Sequence, residues 1–243
     1  MEITNWFPTP IGEFNSLTMP SKPNSPFKGA VDVAGLQRYI LNIVDEESSV
    51  QKSNIGGFQS IHDFLNRDNP LSFQLKKFII AMFLEYSGYL DLRGYDLNID
   101  SWANVNYPGD RNCLHNHPGA NFAGAFYIKS PAKSGAFIGY DSRASKVFSD
   151  ECNSDLFKTY GEQNEYHPDN LYAPNRYYKQ PNPGDLVIFP AWMQHEVEPN
   201  LSKEPRISVA FNLYLARKWD SEEERDRHYN GPNYTYKNEK EEE

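Results

Sequence analysis

Six histidines occur in the 243-residue chain, at positions 62, 115, 117, 167, 195 and 228, and two of them fall in the run RNCLHNHPGA. Residues two apart on a β-strand point to the same face. A strand over 112–118 therefore projects His115 and His117 together, with imidazoles close enough to grip one metal, and Pro118-Gly119 ends it. A third candidate, His195, lies in NPGDLVIFPAWMQHEVEPN. There Gly184 marks a turn, 185–189 reads as a buried strand, 190–194 turns the chain back, and His195 opens the next strand. Three donors from two separate strands leave three octahedral positions open, which suits a chelating cosubstrate and O2.

The segment EPRISVAFNLYL carries a second kind of chemistry. Ile207, Val209, Phe211 and Leu213 alternate with Arg206, Ser208, Ala210 and Asn212. One face is apolar, and the other sets Arg206, Ser208 and Asn212 in line. An arginine facing a barrel interior is costly unless it meets an anion. A guanidinium fork with a hydroxyl two residues on suits one end of a dicarboxylate. SWANVNY repeats the pattern, with Trp102, Asn104 and Asn106 on one side and Ala103, Val105 and Tyr107 on the other. Two amides on one strand face make sense where that face lines a polar pocket.

Plainer roles stand beside these. Arg206 could pair with Glu204 or Asp185, and Asn104 and Asn106 could serve only backbone groups. Cys113 shares a face with His115, as a ligand, an oxidation target or a small buried side chain. Asp110 and Glu196 lie near the ligands, but Asp110 sits in a turn and Glu196 faces away from His195. His62, His167 and His228 read as surface residues, with His167 able to reach a substrate from its loop.

The elements that must position these side chains change in texture near residue 94. Before it, an early strand near 6–14 and a loop lead to a helix capped by Asp32, whose buried stripe is Val33, Leu36, Ile40, Ile43 and Val44. Residues 51–60, with Gly56-Gly57, read as a loop or short strand. A second helix follows Pro70, with Leu75, Phe78, Ile79, Met82, Phe83 and Tyr86 inward and Gly88 near its end. After residue 94, strands are expected at 100–107, 112–118, 122–129, 135–140, 184–190, 194–198 and 206–215. Seven short strands separated by turns indicate a sandwich or barrel. Residues 141–180 are polar and Tyr-rich, including the 166–178 stretch, and read as a long insertion. The organisation is 1–93 as an N-terminal strand and helices, 94–216 as the β core, and 217–243 as an acidic, disordered tail.

Composition narrows the function classes. Aromatic residues make up 14% of the chain, with 16 Tyr and 15 Phe, which favours a β-rich body. Of the net charge of −9, the tail with six basic and nine acidic residues carries −3. An acidic body argues against a general nucleic-acid binder. Two cysteines, Cys113 and Cys152, make no disulfide framework and suit a reducing cytoplasm, a host's if the chain is phage-encoded. Neither a membrane span nor a secretory signal is legible. A homodimer is the assembly to expect first.

The segments SWANVNYPGDRNCLHNHPGANFAGAFYIKSP and PGDLVIFPAWMQHEVEPNLSKEPRISVAFN resemble the core motifs of a family of 2-oxoglutarate/Fe(II)-dependent oxygenases without an assigned substrate, frequent in marine phage and bacterial genomes. WFPTPI and NIGGFQS extend the resemblance over most of 5–215, with 141–180 the weakest part. It implies a mainly β fold with flanking helices around a double-stranded β-helix, the jelly-roll or cupin-like core. It implies iron at His115, His117 and His195, and 2-oxoglutarate held by Arg206 and Ser208, with Asn104 and Tyr127 as further contacts. The expected reaction is hydroxylation of a small molecule or a protein side chain, with release of succinate and CO2. His117 stands where the broad superfamily carries Asp or Glu, so the ligand set is neutral and the site more positive by one charge. Two alternatives stay open: a three-histidine dioxygenase that does not use 2-oxoglutarate, and a non-catalytic metal-binding jelly-roll module.

Overall fold

The computed structural model describes residues 9–19, 27–88, 90–141, 176–219, 221, 222 and 224. Among the described residues, eleven strands and two α-helices run in the order β1 (Gly12–Asn15), α1 (Val33–Glu46), β2 (Asn54–Ile55), β3 (Phe58–Gln59), α2 (Pro70–Tyr86), β4 (Tyr95–Asn106), β5 (Arg111–His115), β6 (Phe122–Lys129), β7 (Phe137–Tyr140), β8 (Arg176–Lys179), β9 (Asp185–Pro190), β10 (Gln194–Val197) and β11 (Arg206–Arg217). They form two antiparallel sheets, β1-β9-β6-β11-β4-β3 and β2-β5-β10-β7-β8. This is the mainly β architecture expected, with the helices outside the core.

Local chemistry explains both helix starts. Asp32 caps α1 by accepting from the Gly35 N–H at 2.8 Å, which satisfies a donor that the first turn leaves open. Asn69 caps α2 by accepting from the Leu71 N–H at 2.9 Å, with Pro70 in the first turn where a missing N–H costs nothing. Leu36, Ile40 and Ile43 of α1 and Leu75, Phe78, Ile79, Met82 and Phe83 of α2 are buried against the larger sheet. Val33, Val44 and Tyr86 are only partly buried, at the margin of that core.

The alternation read in two strands decides what faces where. On β11, Ile207, Val209, Phe211 and Leu213 are fully buried under the helices. Ala103 and Val105 of β4 join them. The opposite faces of β4 and β11 therefore look between the sheets, where a smaller apolar cluster of Ala123, Phe137, Val187, Phe189 and Met193 forms the floor.

Three boundaries differ from expectation. The first strand is shorter than 6–14, because β1 spans only Gly12–Asn15, the length that pairs with β9. Strand β5 ends at His115, so His117 lies just beyond it in the turn of Pro118 and Gly119. The insertion is not strand-free: its last residues form β8, which pairs with β7 as a sheet edge. Residues 142–175 of the insertion, with His167 and Cys152, lie outside the described residues, as do Trp6, His228 and most of the tail. No helix among the described residues is long and apolar enough to cross a membrane.

Candidate metal centre

Strand pairing brings two of the three histidines face to face. His195 of β10 is the direct partner of His115 of β5, and their ring centroids are 4.3 Å apart. His117 reaches the same point from the turn, where its N–H donates to the Ala191 carbonyl at 3.0 Å. Its Nε2 lies 3.2 Å from Nε2 of His195. The shared strand face expected for His115 and His117 is thus replaced by a strand end and a turn anchored across to the β9–β10 connection. The three rings offer one nitrogen each, all within 4.8 Å of one another. Cis ligands about 2.1 Å from one metal stand about 3 Å apart, so the site fits a metal after small movements.

Hydrogen bonds decide which nitrogen each ring presents. Nδ1 of His115 meets the Cys113 carbonyl at 2.7 Å, and Nδ1 of His195 meets the Met193 carbonyl at 3.0 Å. A carbonyl only accepts, so Nδ1 carries the proton in both rings and Nε2 keeps its lone pair. Burial lowers the pKa of all three histidines, that of His117 to about 4, with mutual repulsion adding to the effect at His117 and His195. The donors are therefore neutral at pH 7, and a metal would not have to displace protons to bind.

Arg206 occupies the other end of the cavity. It is 1% exposed. Its Nη1 donates to the Ser134 carbonyl and, at 3.2 Å, to the Glu198 carbonyl. Gly135 makes this possible: its φ is +91°, and a Cβ there would lie 2.2 Å from the Glu198 oxygen and 2.8 Å from Nη1. Neither carboxylate weighed as an ion-pair partner serves. Glu204 pairs with Lys129 at 2.7 Å and Asp185 with Lys179 at 3.4 Å. Burial pulls the Arg206 pKa down, opposed in part by Tyr127 and Asp110. Nη2 of Arg206, the Tyr127 hydroxyl and Oδ1 of Asn104 are all buried without a hydrogen-bond partner. Ser208 is paired in the ladder with Asn104 on one side and Tyr127 on the other.

One cavity is lined by His115, His117, His195, Asn104, Tyr127, Arg206 and Ser208, with Trp102, Phe137 and Phe189 as apolar walls. Orphaned donors on Arg206 and Tyr127 beside a buried cation describe a site for an anion that accepts hydrogen bonds, which a carboxylate of 2-oxoglutarate fits. Asn106 lines the same cavity. Cys113 is half-buried and stands outside the three-histidine group. Glu196 accepts from the Tyr140 hydroxyl at 2.5 Å, and Asp110 accepts from the Tyr107 N–H at 2.7 Å, so both carboxylates are engaged elsewhere. The sequence reading missed Ser134 and Gly135, from a distant loop, and Glu198, eight residues before Arg206, which hold the guanidinium and carry no motif. His62 is exposed, but its ring stacks on Trp102 at 4.5 Å.

The described residues thus form a double-stranded β-helix with a histidine cluster and a buried arginine in one cavity. Residues 100–212 match the family model described as "Putative 2OG-Fe(II) oxygenase". A comparison with curated proteins gives no match. Among solved structures, a prolyl-4-hydroxylase of Pseudomonas putida is 13% identical with a TM-score of 0.56, over 87% of this chain and 94% of that one. The carbocyclase SnoK of nogalamycin biosynthesis is 13% identical with a TM-score of 0.55, over 91% and 86%. HygX of Streptomyces hygroscopicus, solved with nickel and 2-oxoglutarate, is 10% identical with a TM-score of 0.52, over 85% and 83%. These likenesses establish the fold.

Proposed function

We propose that His115, His117 and His195 hold Fe(II) through their Nε2 atoms, and that Arg206 binds the distal carboxylate of 2-oxoglutarate with help from Ser208, Asn104 and Tyr127. The observation that carries this reading is the buried, unpartnered Nη2 of Arg206, whose Nη1 is held by two carbonyls in the cavity the histidines line. A guanidinium left uncompensated at such a depth costs several kcal/mol unless an anion completes it. Bound iron supplies O2 activation coupled to decarboxylation of 2-oxoglutarate, ending in succinate, CO2 and a hydroxylated substrate. The protein's own part is to orient the cosubstrate from Arg206, to keep the imidazoles neutral, and to exclude water with Trp102, Phe137 and Phe189.

The neighbours include a prolyl hydroxylase and a carbocyclase, so the fold leaves the substrate open between a small molecule and a protein side chain. The test is anaerobic visible absorption of metal-free protein titrated with Fe(II) and then 2-oxoglutarate. A charge-transfer band needing both, and requiring on the order of 100-fold more 2-oxoglutarate in Arg206→Ala, is the expected result. Iron binding with no band would remove the 2-oxoglutarate assignment and favour a three-histidine dioxygenase.

A further inference from the structure

His117 stands past the end of β5, outside its ladder. A short series of backbone bonds holds it instead. The turn that carries it closes on itself, with the Ala120 N–H donating to the His117 carbonyl at 3.3 Å. Ala191, in the connection from β9 to β10, docks against both ends of that turn. Its carbonyl accepts from the His117 N–H at 3.0 Å, and its own N–H donates to the Asn121 carbonyl at 3.1 Å. Ala191 is 1% exposed, and buried peptide groups keep such bonds because no water is there to replace them. Two residues on, the Met193 carbonyl orients the His195 ring. The segment that brings in His195 is therefore also the one that holds His117.

Asn121 fastens this docked pair to the rest of the barrel. It directly precedes β6, and its N–H donates to the Leu213 carbonyl of β11 at 3.0 Å. Leu213 and Phe122 make the last rung of the β6–β11 ladder. Beyond that rung the chain has turned off towards His117, and the Leu215 N–H of β11 is taken by Oδ1 of Asn121 at 2.8 Å. Only an acceptor can meet a backbone N–H, so the amide is fixed with its oxygen on β11. Asn121 is itself exposed. A hydrogen bond at the surface adds little to overall stability, because water can replace it. Its effect falls on where the turn sits.

We infer that Asn121 is a positioning residue for the metal centre. Its side-chain carbonyl, held by Leu215, sets the turn of residues 117–121 on β11, the strand of Arg206. Through Ala191 it also sets the spacing of His117 and His195, whose Nε2 atoms lie 3.2 Å apart. This inference rests on the reading of His117 and His195 as metal ligands. A ligand within a strand takes its place from the ladder, as His115 does. His117, carried on a turn, takes its place from this clamp.

The test is titration of the metal-free protein with Co(II), followed by its visible absorption, in wild type, Asn121→Ala, Asn121→Asp and His117→Ala. The urea midpoint of each protein without metal is measured beside it. Removal of a group that orients a ligand typically lowers metal affinity about 10- to 100-fold. Asn121→Ala acts one step behind the ligand and is expected near the lower figure, about tenfold. Asn121→Asp keeps an oxygen for the Leu215 N–H and is expected to recover most of that loss. A merely structural side chain would lower the metal-free urea midpoint in Asn121→Ala and leave Co(II) affinity as it is. Affinity within about twofold of wild type in Asn121→Ala, with His117→Ala still losing it, would overturn the inference. So would an Asn121→Asp protein that binds as weakly as Asn121→Ala. Undiminished Co(II) binding by His117→Ala would instead remove the ligand reading, and the inference with it.

Discussion

Across the β5–β10 ladder, His115 and His195 are direct partners, and this one register puts two imidazoles 80 residues apart in sequence at the same depth of the cavity. Each ring gives its Nδ1 proton to a carbonyl two residues back, so both Nε2 lone pairs point inward before any metal arrives. A one-residue slip of β10 would turn His195 to the outer face and destroy the pair.

Metal should therefore stabilise the fold through this pair. At free Fe(II) or Co(II) about 100-fold above Kd, linkage predicts about 2.7 kcal/mol of added stability in wild type. His195→Ala and His115→Ala should lose that increment, read as the rise in urea midpoint between metal-free and metal-loaded protein.

Gly135→Ala should act on the cosubstrate without touching the metal. The added Cβ meets the Glu198 carbonyl and Nη1 of Arg206 at a positive φ, so the guanidinium must leave its cradle. Weakening of 2-oxoglutarate binding by about tenfold, or 1.4 kcal/mol, is expected, together with about 1 kcal/mol or more of lost stability from the strained backbone. Calorimetric titration with 2-oxoglutarate, beside an unchanged Co(II) affinity, checks it.

Acid should destabilise the metal-free protein through the histidines. Burial depresses their folded pKa values, that of His117 to about 4, below the unfolded value near 6.5. As pH falls, the unfolded chain takes up protons first, so this contribution is fully present above about pH 6.5 and is lost as pH falls through about 4. The fall in urea midpoint from about pH 7.5 to about pH 4.5, measured with chelator, should be larger in wild type than in His117→Gln, which cannot titrate. An equal fall in both proteins would assign the acid sensitivity to other groups.

The helical layer should be as important to stability as the site is to chemistry. Phe126 is fully buried and meets Phe78 of α2 edge-on at 5.9 Å. Phe126→Ala should cost about 3–5 kcal/mol by emptying this contact between sheet and helix, measured by urea unfolding.

Much of this architecture could be read from residue order. The alternation in β11 separates Ile207, Val209, Phe211 and Leu213 from Arg206, Ser208 and Asn212, and a period of two admits only that division. Asp32 and Pro70 mark the helix starts because caps and first-turn prolines act within one turn. The limits were equally local. His117 lies past its strand because the turn at Pro118-Gly119 begins earlier than periodicity can tell, and β8 has too few apolar residues to stand out from a polar insertion.

Residue types and spacing by themselves determined the β-rich class, the two helices, the three histidines and the arginine strand, because each depends on neighbours a few positions away. Tertiary structure alone decided which histidine nitrogens converge, and that Arg206 rests on the Ser134 and Glu198 carbonyls rather than on a carboxylate. Those facts depend on strand register and on loops brought together from more than 60 residues apart, and the pairing energy that sets them is spread over whole sheets rather than written in any one segment.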